Sequence, residues 1–398
     1  MVGGGTLGWL LLLIQGSDAL VPAIGIPSTP RALHASRTAP PLCVASTDLQ
    51  PPPPASDLEA RGAEVTNGLR AVHLGAAAGA MLVPELMDGA VATLWSAIDS
   101  QPFVHNCMFE ATLAVAAFVL WIFLFESVHK VLPDAHTYRF DGKPPVRPLW
   151  GFTREWHKSV VPAAAYLGSI AVFHALHLGP MLFGLKPAFD EAPSFVRLIT
   201  EVSLGIFLYD ALFYPFHYSF HKLRSGQWRK LHSRHHQWGA TEDAPHNAIE
   251  TVQNSYVDSG VQVFINICVQ QFSPWGYKHP LSRIFHNLMV TYLLCESHSG
   301  YDLPFMSHRL FPTVFGGAPR HEAHHQRGNV YFHQFFMWID DALGTVQKEP
   351  LPAPLTSHVS ELEGSWAGSR VRSPSAARAA TAASSANAEA AEGLSQPS

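Results

Sequence analysis

The chain has 398 residues, of which 47% are hydrophobic and only 14% charged, whereas about 25% of the residues of a soluble globular domain are charged. This composition favours a membrane protein, and the small net charge of -5, without a clustered basic face, argues against nucleic-acid binding. The four cysteines have no C-x-x-C spacing, so neither a disulfide framework nor a thiolate zinc site is indicated.

The N-terminal region has the features of a targeting segment. Residues 1–19 contain an apolar run that is typical of a signal-peptide core and too short to span a bilayer. Residues 20–70 are rich in Pro, Ser and Ala, as in a plastid transit peptide or a disordered linker. The leader therefore favours the endoplasmic reticulum membrane and leaves a plastid membrane as the alternative.

Three predominantly apolar runs follow, each near the roughly 20 residues needed to cross a bilayer. They are residues 111–125, 160–185 and 198–216. Residues 71–98 are apolar but contain charged residues and a proline, which predicts a membrane-surface helix or an imperfect span. Residues 256–272 and 284–295 predict a fourth span or a membrane-embedded hairpin.

The distribution of Lys and Arg predicts the orientation of these spans. Basic residues are concentrated between the first and second spans and again after the third, which places both segments on the cytosolic or stromal side. We predict an N-terminal membrane region (71–159), a catalytic domain (160–350) and a disordered Ala/Ser-rich tail (351–398).

Eight of the 23 histidines form three clusters on the predicted cytosolic side. Box one is His217-Tyr-Ser-Phe-His221, box two is His232-Ser-Arg-His235-His236, and box three is His321-Glu-Ala-His324-His325. On a helix, residues three and four apart share one face, so each box presents two or three imidazoles toward one point. Eight imidazoles exceed what one ion can bind, so two metal ions are predicted, and such pairs are suited to activating O2 or water.

Two other interpretations of these boxes stay open. His321-Glu322-Ala323-His324-His325 also matches H-E-x-x-H, in which a glutamate serves as the base of a zinc peptidase. Pro319 and Gly328 bracket a helix of only about two turns, and a peptidase leaves the other boxes without a purpose. A metal transporter or chaperone would use the histidines without consuming O2.

The order of the three boxes resembles the fatty acid hydroxylase/sterol desaturase superfamily over residues 160–347. Shorter elements are similar to its methylsterol oxidases and cholesterol hydroxylases. These elements are His298-Ser-Gly-Tyr-Asp-Leu-Pro304, His246-Asn-Ala-Ile-Glu-Thr251, Gly316-Gly317-Ala318, Asn329, and Asp341-Ala-Leu-Gly-Thr345. Two positions depart from the family pattern: Asn247 replaces a proline, and Ile339-Asp340 replaces the tryptophan before Asp341.

The resemblance implies an all-α integral membrane protein, a transmembrane helix bundle with a cytosolic, histidine-rich di-iron cap. All eight box histidines would bind two iron ions, with His298 as a ninth ligand. His246, Asp302 and Asn329 are implied as further ligands or as partners of ligands. His174, His177 and His286 match no landmark and are expected to pack or line a pocket.

The resemblance also implies the reaction and its partners. O2 is the co-substrate, and electrons come ultimately from NAD(P)H through cytochrome b5 and its reductase, or through ferredoxin in a plastid. The H-S-G-Y-D-x-P element favours a sterol substrate, oxidised as by C-4 methylsterol oxidases. Hydroxylation of fatty acyl or sphingoid chains is the alternative, and the sequence does not separate hydroxylation from desaturation.

Overall fold

The computed structural model describes residues 55–140, 156–183, 189–222, 232–233, 235–236, 247–348 and 351. These residues form α-helices, short 3-10 helices and loops, and within these ranges β-structure is limited to isolated bridges. The all-α prediction is therefore confirmed for the described part of the chain. The predicted signal peptide, most of the leader and the tail after residue 351 lie outside the described residues.

The helices are numbered here in chain order. They are α1 (Ala55–Leu82), α2 (Pro84–Asp99), α3 (Phe109–Val131), α4 (Trp156–Ala175), α5 (Leu178–Phe183), α6 (Phe195–Lys222), α7 (Tyr256–Gln270), α8 (Pro280–Ser297), α9 (Ser307–Leu310), α10 (Gly317–Arg327) and α11 (Trp338–Leu343).

Helix α1 begins within the segment that we predicted as leader and lies against the catalytic region. The Thr66 hydroxyl donates a hydrogen bond of 3.0 Å to the carbonyl of Pro304. The Nε of Arg70 donates one of 2.9 Å to the carbonyl of Arg309. The folded part of the chain therefore starts earlier than residue 71.

Helix α3 is the one single helix in the described residues that is long and apolar enough to cross a membrane. It buries Ala111 and Ala117 against the rest of the fold, while Val119 and Phe123 are about half exposed. An outward apolar face on a long helix is suited to lipid contact. The apolar part of α1 passes the same test only together with α2, and the two are bent by 99° at Val83.

The second and third predicted spans have a different form from the one we expected. The second falls on α4, whose apolar part is Val160–Ala175, and the chain turns before α5. The third falls on α6, which carries Glu201 and Asp210 in its buried face. Neither helix qualifies as a span by length and composition, so the predicted crossings stay predictions.

Helix α8 lies at the centre of the core. On one side it packs against α3, where Ile122 and Phe125 are buried near Cys295. On the other side it packs against α6, where Ile206 and Tyr209 share a buried cluster with α7 and α8. The region predicted as a fourth span or hairpin is therefore two separate helices, α7 and α8, whose polar contacts include the Gln270–Asn287 hydrogen bond of 2.9 Å.

Candidate metal centre

The structure brings the eight box histidines and His298 together in two groups. The five-histidine group consists of His217, His221, His232, His236 and His324, and the four-histidine group consists of His235, His298, His321 and His325. Within each group, one ring nitrogen or other ligand atom from every member lies within 4.8 Å of those of all the others. The rings of His236 and His325 are 4.6 Å apart, so the two groups adjoin.

Boxes two and three are each divided between the two groups, whereas we expected each box to converge on one point. In box three, His321 and His325 join the four-histidine group and His324 joins the five-histidine group. In box two the i and i+4 residues, His232 and His236, join the five-histidine group while His235 joins the other. Boxes two and three therefore bridge the two groups, because the i+3 side chain is rotated from the i and i+4 pair around the helix, whereas both histidines of box one belong to the five-histidine group.

Distances between imidazoles within each group match those around a metal ion. In the four-histidine group, the Nε2 of His321 lies 2.8 Å from that of His298 and 3.0 Å from that of His325. In the five-histidine group, the Nε2 of His232 lies 3.2 Å from that of His217 and 3.1 Å from that of His236. Two ligands at about 2.1 Å from one ion, at right angles to each other, lie about 3 Å apart.

Hydrogen bonds to the Nδ1 atoms select the imidazole tautomer whose Nε2 can bind a metal. The Nδ1 of His217 lies 2.8 Å from the carbonyl oxygen of Phe332, and the Nδ1 of His324 lies 2.7 Å from that of Val330. The Nδ1 of His298 likewise lies 2.8 Å from the carbonyl oxygen of Leu294. A carbonyl only accepts, so each Nδ1 donates and each Nε2 keeps its lone pair for a metal.

Burial also favours the neutral state of several of these histidines. Burial lowers the pKa of His235, His321 and His324, and neighbouring imidazoles lower it further. These rings are therefore uncharged at neutral pH, which is the state that coordinates a metal. The Nε2 atoms of His221 and His324 are buried without a hydrogen-bond partner among the described residues, as expected of atoms that a metal would satisfy. The residues therefore fit a pair of metal ions.

Two buried carboxylates that the sequence analysis missed hold the segment that carries the carbonyls of Val330 and Phe332. Asp340 accepts backbone hydrogen bonds of 3.0 and 2.9 Å from Phe332 and His333, and it also accepts from the Nδ1 of His333 and the hydroxyl of Thr345. Asp210 accepts backbone hydrogen bonds of 2.6, 3.1 and 2.8 Å from residues 334, 335 and 336. The 330–336 segment is thus fixed from both sides where it orients two imidazoles of the five-histidine group.

Asp258 is a further partner that sequence reasoning missed. Its Oδ1 lies 3.2 Å from the Nδ1 of His232, and its backbone amide is capped by the Ser255 hydroxyl at 3.2 Å. It therefore orients a third imidazole of the five-histidine group from the first turn of α7. The local sequence feature that could have drawn attention to Asp258 is its position three residues after Ser255, which caps the start of α7.

A small cavity of about 10 Å3 lies between the two groups, with room for roughly one water-sized molecule. Histidines of both groups line it together with apolar Phe213 and Leu294. The Oδ1 of Asn254 and the Nε2 of Gln334, which also line it, are buried without hydrogen-bond partners among the described residues. A small polar molecule in this position would be close to both groups.

Comparison with known proteins gives the family. Residues 202–345 match the model of the fatty acid hydroxylase family. Cholesterol 25-hydroxylase of Mus musculus is 26% identical over 275 residues, which is 66% of this chain and 84% of the relative. The same enzyme of Homo sapiens is 29% identical over 193 residues, or 47% of this chain and 68% of the relative. The same enzyme of Rattus norvegicus is 30% identical over 164 residues, which is 40% of this chain and 51% of the relative.

Residues 202–345 form a domain of the fatty acid hydroxylase/sterol desaturase superfamily. The resemblance drawn from the boxes is thereby confirmed. The hydroxylase domain contains all three boxes and His298, so it contains every member of the two histidine groups. No solved structure matches the chain significantly.

One landmark of the hydroxylase domain is shifted by one residue from the position we gave it. In W-D-x-x-x-G-T, three residues separate the aspartate from Gly344, and Asp340 satisfies this spacing. Asp340 is fully buried, whereas the Asp341 side chain is 44% exposed and pairs with Arg320 at 2.9 Å. The prediction of Asp341 as the landmark was therefore wrong, and Asp340 has the structural role.

Two of the further candidates for ligands, Asp302 and Asn329, lie outside both histidine groups. Asp302 is buried beside Arg309 and His308, and its Oδ1 lies 2.8 Å from the Nε2 of His308. Burial opposes its ionisation, but Arg309 and His308 hold the pKa of Asp302 well below its ordinary value. Asn329 is exposed after α10, and His246 lies outside the described residues. Asp302 therefore stabilises the loop after His298 and is in neither group.

Of the three histidines without a landmark, His286 packs and His174 lines a cavity, whereas His177 is exposed, so the prediction does not hold for His177. His286 is fully buried, with its Nε2 3.0 Å from the Oδ1 of Asn266. His174 lines a large cavity at the far end of the fold. His177 adopts a positive φ of 51° in the turn between α4 and α5.

Glu322 separates the hydroxylase from the peptidase interpretation. It belongs to neither histidine group, and Gln326 donates a hydrogen bond of 2.8 Å to its carboxylate. If Glu322 is not a catalytic base, the sequence predicts a solvated or helix-start residue, but Glu322 is only 9% exposed and lies in the middle of α10, so that prediction was wrong. The helix also extends one turn further than expected, from Gly317 to Arg327.

The Glu322→Gln variant is expected to keep both metals and most of its lipid oxidation, because a glutamine can still accept from Gln326 and no ligand is lost. Metal analysis and product formation on the purified variant test this expectation, with His321→Ala as the matched variant that loses both. A glutamine variant that is fully metallated but inactive would make Glu322 a catalytic base and would favour a peptidase.

Proposed function

We propose that this chain is a membrane-bound hydroxylase that uses O2 and two iron ions to oxidise a C–H bond of a lipid, with a sterol as the favoured substrate. The observation that carries the proposal is the pair of adjoining groups of histidines, most of them buried. It is supported by the fatty acid hydroxylase match and by relatives named cholesterol 25-hydroxylase.

The composition of the two groups favours iron over a structural zinc. Structural zinc sites are almost always tetrahedral and closed by four ligands, commonly with thiolates. The five-histidine group exceeds that number, and neither group includes a cysteine. Imidazole ligands suit iron, and bound iron would supply the activation of O2.

The protein's own residues would orient the imidazoles and keep bulk water away from the site. Carbonyls of the 330–336 segment and Asp258 hold three imidazoles with Nε2 directed away from their partners. Phe213 and Leu294 exclude bulk water from the small cavity between the groups. Asn254 and Gln334 have the unpaired polar atoms to hold one water molecule there as a source of protons.

The position of oxidation on the substrate is a separate part of the proposal. The relatives' names favour the aliphatic side chain of a sterol, whereas the H-S-G-Y-D-x-P element favoured a C-4 methyl group. Both positions are unactivated carbons at opposite ends of a sterol, and side-chain hydroxylation of cholesterol is the first reaction to test. Electron supply by cytochrome b5 and its reductase, and a location in the endoplasmic reticulum, complete the proposal as predictions.

Microsomes that contain the expressed chain, supplied with NAD(P)H, cholesterol and 18O2, should form a hydroxysterol that carries one 18O atom, because a monooxygenase inserts one atom of O2. Mass spectrometry of the extracted lipids gives the product, its position and its label. The His321→Ala variant is the matched control and should give none. Formation of a double bond without 18O label would show a desaturase. Labelled fatty acyl or sphingoid products alone would support the alternative substrate. The absence of any O2-dependent product would contradict the proposal.

A further inference from the structure

A second, larger cavity lies at the end of the fold that is opposite to the histidines. It has a volume of about 670 Å3, within the roughly 300–1,000 Å3 that is typical of small-molecule sites. The loop after α2, the helices α4 and α5, the end of α7 and the start of α8 surround it. We call it the distal cavity.

The distal cavity is separate from the metal centre. No member of either histidine group lines it. Asp258, beside His232, and Gln270, at the cavity, lie 12 residues apart on α7, which is about 18 Å at 1.5 Å per residue. Buried side chains such as Ile265 and Leu293 fill the core between the two ends.

The walls of the distal cavity offer both unpaired donors and unpaired acceptors. Trp95 and Gln270 are 5% and 3% exposed, and the Nε1 of Trp95 and the Oε1 of Gln270 have no hydrogen-bond partner among the described residues. The Oε1 of Gln271 is in the same state. An indole N–H can only donate and an amide oxygen can only accept, so one hydroxyl group, which does both, complements this wall.

The charges around the distal cavity disfavour an anionic ligand. Arg283 is neutralised by its ion pair with Glu110. Asp99 and Asp190 also line the cavity and leave its surroundings negative. A carboxylate or phosphate would be repelled and desolvated here, which excludes free fatty acids and phospholipid headgroups.

The remaining lining is suited to hydrocarbon. Ile170, Phe173, Phe183 and Phe189 contribute aliphatic and aromatic surface on the side of α4 and α5. Apolar walls with a few converging polar groups are what a neutral amphipathic ligand requires. We propose that the distal cavity binds an uncharged lipid with a single hydroxyl group, at a site that is separate from the metal centre.

Photolabelling of the full-length chain in detergent tests the site directly. The probe is a sterol that has a free hydroxyl and a diazirine, and mass spectrometry locates the labelled peptides. We expect label in residues 166–183 and 266–287, in the wild type and equally in the His235→Ala variant, because binding does not need the metal centre. Label confined to peptides around the histidines would overturn the proposal.

Competition against this probe tests the chemistry of the ligand. Cholesterol should compete about tenfold better than cholesteryl methyl ether, because loss of one hydrogen bond to a buried acceptor costs about 1.4 kcal/mol. Cholesterol sulfate should compete weakly, because its charge faces Asp99 and Asp190. Equal competition by all three would overturn the proposal.

A matched pair of glutamine variants tests whether Gln270 contacts the ligand in the distal cavity. Gln270→Leu should weaken binding of the probe about tenfold, while Gln101→Leu, at an exposed glutamine that does not line the cavity, should not. Thermal unfolding of both variants identifies any loss of folding. A folded Gln270→Leu variant with wild-type affinity would contradict the proposal, and the competition series on the wild type stands independently of either variant.

Discussion

The His235→Ala variant is expected to lose lipid oxidation by more than about 100-fold and to retain about one metal ion per chain instead of two. His235 belongs to the four-histidine group, so its loss leaves three ligands there and five in the other group. The remaining ion would keep its site, but a pair of ions would no longer adjoin. Metal analysis by mass spectrometry and product formation from the same preparation measure both effects.

The control is His73→Ala, at an exposed histidine on α1 that is outside both groups. It should keep both metals and full activity. His308, although outside every motif, is a poor control because it is buried and hydrogen bonded to Asp302. A His235→Ala variant that bound two ions and turned over normally would refute the assignment of the four-histidine group.

The composition of the metal centre was predictable, but its division was not. The i, i+3 and i+4 spacing of His232, His235 and His236 predicted three metal-binding side chains on one short segment, and the structure places all three in the histidine groups. Which of them faces which ion depends on how α6, box two and α10 are oriented around each other. That orientation arises from contacts distant in sequence, such as the His217–His232 pair and the His298–His321 pair.

Residues that support the ligands were harder to predict for the same reason. Asp210 lies within an apolar run and was interpreted as part of a span, yet it binds backbone amides about 125 residues later in the chain. An intramembrane carboxylate in a sequence is itself a signal of function. Asp340 had a signal too, since three residues separate Asp340 from Gly344, as the pattern requires, whereas only two separate Asp341 from it.

The spans show the limit of hydropathy as a predictor. Hydropathy identified α3 correctly as a helix long and apolar enough to cross a membrane. It could not show that α6 turns Glu201 and Asp210 into the protein, because a window average does not record direction. Glu201 accepts from Ser273 at 2.6 Å and from the backbone of His279 at 3.1 Å, which compensates its burial.

Asp340→Asn is expected to weaken metal binding in the five-histidine group by about 10- to 100-fold, while leaving the four-histidine group occupied. Burial opposes ionisation of Asp340, but hydrogen bonds from His333 and Thr345 keep its pKa below the ordinary value. An asparagine has the same shape, but its NH2 group would face the amide donors of Phe332 and His333, and a buried donor would lose its acceptor.

The effect of Asp340→Asn should be confined to the five-histidine group, because the 330–336 segment orients two of its imidazoles. Its carbonyls accept from His217 and His324, which both belong to the five-histidine group. If the segment relaxes, these two rings lose the partner that fixes the orientation of Nε2. A general loss of stability would instead release both metals together, so titration of each site with Co2+, followed by its absorption spectrum, distinguishes positioning from unfolding.

The neighbouring Asp341→Asn variant is the matched control. The Asp341 side chain is 44% exposed and accepts a hydrogen bond of 2.9 Å from Arg320, and the amide oxygen of an asparagine can still accept this bond. It should bind both metals and oxidise lipid as the wild type does. If Asp341→Asn were the damaging change and Asp340→Asn the mild one, the landmark would belong to Asp341 and the 330–336 segment would not orient the imidazoles. If Asp340→Asn emptied both groups in parallel, Asp340 would stabilise the domain as a whole without positioning His217 and His324.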